Sequence, residues 1–102
     1  MPMAEITIIP LGSGTSVSRF VAKAVEIPKR KGLKFKVTPT STVIEGDLDV
    51  LFEVLKEMHE APFKEGIKRV VTVIKIDDRR DKDIDMDYKV QAVLSKLGSP
   101  ST

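Results

Sequence analysis

With 102 residues, 41% of them hydrophobic and 31% charged, the chain has the size and balance of one folded unit, and no apolar run in it is long enough to span a membrane. It contains no cysteine, which excludes disulfides, thiolate metal sites and thiol nucleophiles. The net charge of +2 is too small to argue for a nucleic-acid or membrane partner, and MPMAEITIIP lacks the basic segment and cleavage pattern of an export signal, so a cytoplasmic location is expected. Asn is absent and Gln91 is the single glutamine, beside abundant Lys and Glu, a bias that suits a heat-adapted host.

Ala4 to Ile9 reads as a first strand, with Ile6 and Ile8 on one face and Glu5, Thr7 and Ile9 on the other; Pro10 is expected to end its ladder. The loop LGSGTS follows, and its hydroxyls are expected to cap a helix starting near Ser16 or Ser18. That helix carries Val17, Phe20, Val21, Ala24 and Ile27 as one apolar stripe, frays at Pro28 and closes at Gly32. Leu33 to Thr38 alternates as a half-buried strand and Thr40 to Glu45 resumes a β pattern, which predicts a hairpin turning around Pro39 to Ser41. Asp47 is the expected N-cap of a second helix, with Leu48, Leu51, Phe52, Leu55, Met58, Pro62 and Phe63 on its apolar stripe, a kink at Pro62, and Gly66 at its end.

Arg69 to Ile76 predicts a fourth strand, apolar on nearly every position and so expected to be covered on both faces. After the charged run DDRRDKD, Met86, Val90, Val93 and Leu97 recur at helical spacing and predict a third amphipathic helix closed by Gly98. The order β-α-β-β-α-β plus one helix predicts an α+β, ferredoxin-like sandwich: a four-stranded antiparallel sheet with both main helices on one face. One domain is expected over residues 1–98, with a disordered tail over 99–102. The uncovered face would carry apolar residues into water, which predicts a homo-oligomer.

Three constellations bear on chemistry. The GSGTS loop precedes a helix N-terminus, where N–H groups and hydroxyls can hold a ligand oxygen, but it has neither Walker nor Rossmann spacing, and a plain capped loop accounts for it as well. The hairpin concentrates hydroxyls at Thr38, Thr40, Ser41 and Thr42, with a carboxylate at Glu45; ordinary turn chemistry explains this set equally well. On the open face of a sheet these groups can grip a heteroaromatic ring by its polar edge. In DDRRDKD, Arg79 and Arg80 are flanked by Asp77, Asp78, Asp81 and Asp83, which reads first as a solvated run of local ion pairs and second as guanidinium forks reaching another subunit. The cluster Lys29, Arg30, Lys31, Lys34 and Lys36 suits a helix C-terminus, and no strand carries the aromatic pair of an RNA-binding sheet, so no nucleic-acid partner is expected. His59 has no second His or Cys to form a metal set, no catalytic triad spacing is present, and the Asn that an acylphosphatase would need is missing; neither enzymatic activity nor a cofactor is expected.

Four stretches, ITIIPLGSGTSVSRFVAKAV, TVIEGD, HEAPFKEGIKRVV and VIKIDDRRDK, together resemble the small thiamine-binding-like proteins related to YkoF, over Ala4 to about Leu97. The resemblance implies a ferredoxin-like fold, assembly into dimers or tetramers, and binding of thiamine or its hydroxymethylpyrimidine part without catalysis. By residue it reaches Gly12, Gly14, Thr15, Ser16 and Ser18 in the loop, Pro39, Thr42 and Glu45 in the hairpin, and Asp77, Asp78, Arg79 and Arg80 in the linker. Thr40 and Ser41 stand where many relatives have Met-Gly. The expected ligand set is therefore Thr15, Ser16, Thr38, Thr42 and Glu45, with Glu45 accepting from an amino group or facing a cationic ring; Asp77, Arg79 and Arg80 are the expected interface residues, and the alternative function is a structural or regulatory, ACT-like oligomer that binds another small effector or anion between subunits.

Overall fold

A computed structural model describes residues 1–98 of the chain, so the tail expected over 99–102 lies outside the described residues. Strand β1 (Met3–Leu11) is followed by helix α1 (Ser18–Arg30), the hairpin strands β2 (Phe35–Val37) and β3 (Thr42–Glu45), helix α2 (Leu48–Lys64), strand β4 (Arg69–Asp77) and helix α3 (Met86–Lys96). The sheet order is β2-β3-β1-β4 with every neighbouring pair antiparallel, the ferredoxin-like arrangement that the element order predicts. Even-numbered residues of β1 (Ala4, Ile6, Ile8) join Ile44 of β3 against Ala24 and Ile27 of α1 and Leu51, Val54, Leu55 and Met58 of α2. That single apolar layer between sheet and helices is the core.

The two main helices end alike. In α1 the N–H of Leu33 donates to the carbonyl of Pro28 and that of Gly32 to Lys29; in α2 Ile67 donates to Pro62 and Gly66 to Phe63. Gly32 and Gly66 take φ of +71° and +91°, where an L side chain is strained, so each Pro–x–x–x–Gly segment closes its helix by the same reciprocal bonds.

Several expectations change. Strand β1 continues through Pro10 to Leu11, with Pro10 opposite Val70 of β4, because beyond Ile6 the other edge of β1 has no strand partner and a missing N–H is tolerated there. Helix α1 starts at Ser18 after Val17 without a side-chain cap bond, so the loop hydroxyls do not cap it; Asp47 precedes α2, again without one. On α2 the buried stripe includes Val54, while Phe52 and Phe63 are exposed. Within one chain strand β4 is a sheet edge: Val71 and Val73 are exposed on the face away from the main helices, and Ile74, on the helix side, is exposed as well. Helix α3 buries only Met86, and Val90, Val93 and Leu97 lie in the open.

Candidate ligand-binding site

The strand register sets the position of the site. Strand β3 pairs with β1 only from Met3↔Glu45 to Ile6↔Thr42, and the hairpin then turns away, leaving Thr7 to Leu11 unpaired on that side. The resulting breach in the sheet is a cavity of about 300 Å³ beneath the first turns of α1. Ile6, Ile8, Val17, Val21, Ala24 and Met58 form its apolar wall, and Thr7 with the hairpin residues Thr38 to Thr42 forms its polar one. This volume lies at the small end of the about 300–1,000 Å³ typical of small-molecule sites, and an apolar lining with a few placed polar groups is their usual make-up. No lining residue among those described carries a formal charge.

The hairpin wall is held by its own hydrogen bonds. The N–H of Thr38 donates to the carbonyl of Ser41 at 2.8 Å, the N–H of Ser41 donates to Thr38 Oγ1 at 3.0 Å, and the two hydroxyl oxygens lie 2.8 Å apart. Ser41 Oγ donates to Glu5 Oε2 at 3.1 Å, and Thr7 Oγ1 donates to the carbonyl of Thr40 at 3.0 Å, fastening the turn to β1. Thr42 differs from these. It is only 3% exposed, lines the cavity, and its hydroxyl has no hydrogen-bond partner among the described residues. No side-chain oxygen that is sealed from solvent lacks a partner, so this hydroxyl reaches the cavity space.

The expected ligand residues fall into three places. Thr38 and Thr42 line the cavity; Thr15 and Ser16 line an adjoining, wider groove along α1 that shares Val17, Val21, Thr38 and Pro39 with it. Glu45 lines neither. By register it lies with Met3 and Asp77 on the sheet face away from α1 and α2, 8% exposed, where its Oε1 accepts the N–H of Met86 at the start of α3 and its Oε2 lies 4.0 Å from Lys34 Nζ. Around it Lys34 and Lys36 meet Asp87 at 2.6 and 2.5 Å, Lys34 meets Asp85 at 3.3 Å, and Lys89 meets Asp77 at 2.5 Å. The two ammonium groups hold the Asp87 carboxyl down to about 2, and Asp85 is lowered first by the N–H of Tyr88 and then by Lys34. Glu45 thus anchors α3.

Of the expected interface residues, Asp77 holds Lys89, while Arg79 forks onto Asp81 at 2.7 and 3.1 Å and Arg80 onto Asp78 at 3.1 and 2.8 Å. These pairs are the local, solvated ones that the charge run suggests first. Reading the residues missed the cavity walls Val17, Val21 and Met58, whose helical spacing marks them only as core, and Glu5, whose contact with Ser41 spans 36 positions of sequence. No helix among the described residues is long and apolar enough to cross a membrane.

Fold and cavity together define a class: a small ferredoxin-like domain whose sheet opens beside its hairpin into an uncharged, hydroxyl-lined chamber. Residues 4–94 match the thiamine-binding protein family, and the chain belongs to it. The resemblance carried by the four stretches is therefore family membership, and it supports a small-molecule binding role. The chain is 47% identical over 102 residues to the UPF0045 protein YqgV of Bacillus subtilis, covering 95% of this chain and 98% of that one. It is 44% identical over 99 residues to a UPF0045 protein of Methanothermobacter thermautotrophicus, covering 95% and 100%. The crystal structure of protein MJ1052 from Methanocaldococcus jannaschii matches with a TM-score of 0.84 at 42% identity, over 90% of this chain and 94% of that one.

Proposed function

We propose that the protein is a non-catalytic binding protein for thiamine or a related hydroxymethylpyrimidine, working as a homo-oligomer. The observation that carries this reading is an uncharged cavity of about 300 Å³, sized for one substituted ring, with an apolar wall facing Thr42 and the other hairpin hydroxyls. The apolar wall from Ile6, Ile8, Val17 and Val21 takes the ring face, and the hairpin takes its polar edge. The adjoining groove past Thr15 and Ser16 gives the second half of a two-ring ligand room to extend. Family membership supports the ligand class.

Oligomerisation is supported by the open sheet face, where Ile9, Leu11, Val71 and Val73 are exposed, and by the uncovered stripe of α3. In that assembly Arg79 and Arg80 exchange their local carboxylates, Asp81 and Asp78, for groups on a neighbouring copy. Replacing both with Ala leaves the fold intact and lowers the assembly state in sedimentation; an unchanged sedimentation profile returns the two arginines to their local pairs.

Calorimetric titration of protein stripped of co-purified ligand tests the ligand reading. Thiamine and hydroxymethylpyrimidine are expected to give saturable heats, weakened roughly tenfold or more by Thr42→Val. An absence of both heat and thermal shift at millimolar ligand would overturn it.

A further inference from the structure

Counting protons on the cavity's hydroxyls sharpens what the site can hold, on the basis of the ligand reading above. Each hydroxyl has one proton to give and lone pairs to receive with. Thr7 gives its proton to the carbonyl of Thr40. Ser41 gives its proton to Glu5, because an ionised carboxylate only accepts. With the Ser41 proton committed, the contact between Thr38 and Ser41 runs one way: the Thr38 proton goes to Ser41 Oγ or to the Ser41 carbonyl at 3.0 Å, while Thr38 Oγ1 receives the Ser41 N–H. Three of the five hydroxyls on this wall therefore have their protons committed within the protein and can only accept from a ligand, while Thr40 and Thr42 keep theirs to offer.

We infer that Glu5, a residue that does not line the cavity, sets its hydrogen-bonding polarity through Ser41, and so selects ligands that donate. Glu5 is held in place from both sides: Ser41 Oγ lies at 3.1 Å on one oxygen, and Lys75 Nζ, on the β4 residue directly opposite, lies 3.7 Å from the other. The wall matches a ring bearing an amino group or a positive charge. At Ser41 and Thr38 it disfavours a ring carbonyl, which would set acceptor against acceptor, and nowhere among the described residues does a cation line the cavity to meet a phosphate ester. Glu5 is a positioning residue in this scheme, and Ser41 is the group that meets the ligand. The pairing of Ser41 with Glu5 also gives a physical use to a hairpin position where a glycine would leave the carboxylate without this donor.

The experiment compares two probes by calorimetry: hydroxymethylpyrimidine, and the analogue whose ring amino group is replaced by a ring carbonyl. Wild-type protein is expected to prefer the amino form by roughly tenfold or more. In Glu5→Gln the side-chain amide can donate to Ser41 as well as accept from it, so the Ser41 proton is no longer committed and the preference falls toward unity, with the thermal midpoint unchanged. Ser41→Ala removes the relay altogether and is expected to lose the preference in the same way. A merely structural role for Glu5 would lower both affinities together and leave their ratio alone. Wild-type protein that binds the amino form with a preference surviving in both variants would overturn the role of Glu5 while leaving the ligand reading in place; wild-type protein that binds neither probe would overturn both.

Discussion

Helices α1 and α3 have similar lengths, 13 and 11 residues, and both carry apolar residues at helical spacing, yet different forces hold them. Helix α1 buries Phe20, Ala24 and Ile27 in the common core, and its first turns roof the cavity. Helix α3 buries Met86 alone and is fastened at its N-terminal turn by Glu45, Lys34, Lys36 and Asp77, leaving Val93 and Leu97 58% and 70% exposed. An apolar stripe therefore shows that a helix has something to cover, and the fold decides whether that partner lies within the same chain. The cavity lies on the side held by the common core.

The largest expected effect tests the core side. Leu51→Ala, at a fully buried position between α2 and the sheet, should cost about 2–5 kcal/mol in denaturant unfolding. Val93→Ala on α3 should change stability by less than about 0.5 kcal/mol in dilute protein. If Val93→Ala becomes costly as protein concentration rises, a neighbouring copy covers α3, and the contrast is between intrachain and interchain packing.

A middle-sized effect is expected at Glu45. Glu45→Ala leaves the N–H of Met86 without its acceptor and should cost about 1–3 kcal/mol, with amide exchange quickening along α3 while α1 keeps its protection. Equal quickening in both helices would make Glu45 a core residue instead of an anchor for α3.

A smaller effect comes from acid. Asp87 ionises at about 2 in the folded chain, below the ordinary aspartate value of about 3.9, so its contribution is complete above pH about 4 and is lost as pH falls through about 2. Lys34 is shifted the opposite way, raised mainly by Asp87, so its share is present below the ordinary lysine range and is lost only at strongly alkaline pH. Limited proteolysis should therefore detach α3 before the core opens as pH drops from 4 to 2, and Asp87→Asn should blunt that dependence. Added salt should act in the same direction as acid, since these groups are exposed.

Much of the fold is legible in the residues. Periodicity and turn residues place four strands and three helices in the observed order, and Pro39 to Ser41 marks the turn of the hairpin. What periodicity cannot show is which side of an apolar strand is covered: Val70 to Ile76 reads the same whether helices lie on one face or two. Pro10 reads as a stop because the sequence does not reveal that one edge of β1 has lost its partner. The hydroxyl cluster, legible directly as side-chain chemistry, marks Thr38 and Thr42, and both line the cavity. The hold of Glu45 on the N–H of Met86, 41 positions away, is not legible in sequence, and the outward alternation of β1 leaves Glu5 looking like plain surface.

In the proposed function the ligand enters the breach between β1 and the hairpin and meets Thr42. Amide chemical-shift mapping during titration of stripped protein with hydroxymethylpyrimidine tests it most directly. Saturable shifts should gather at Thr7, Ile8, Val17, Val21 and Thr38 to Thr42, and disappear in Thr42→Val at the same ligand concentration. Shifts gathered instead at α3 or along β4, with Thr38 to Thr42 unmoved, would contradict the account.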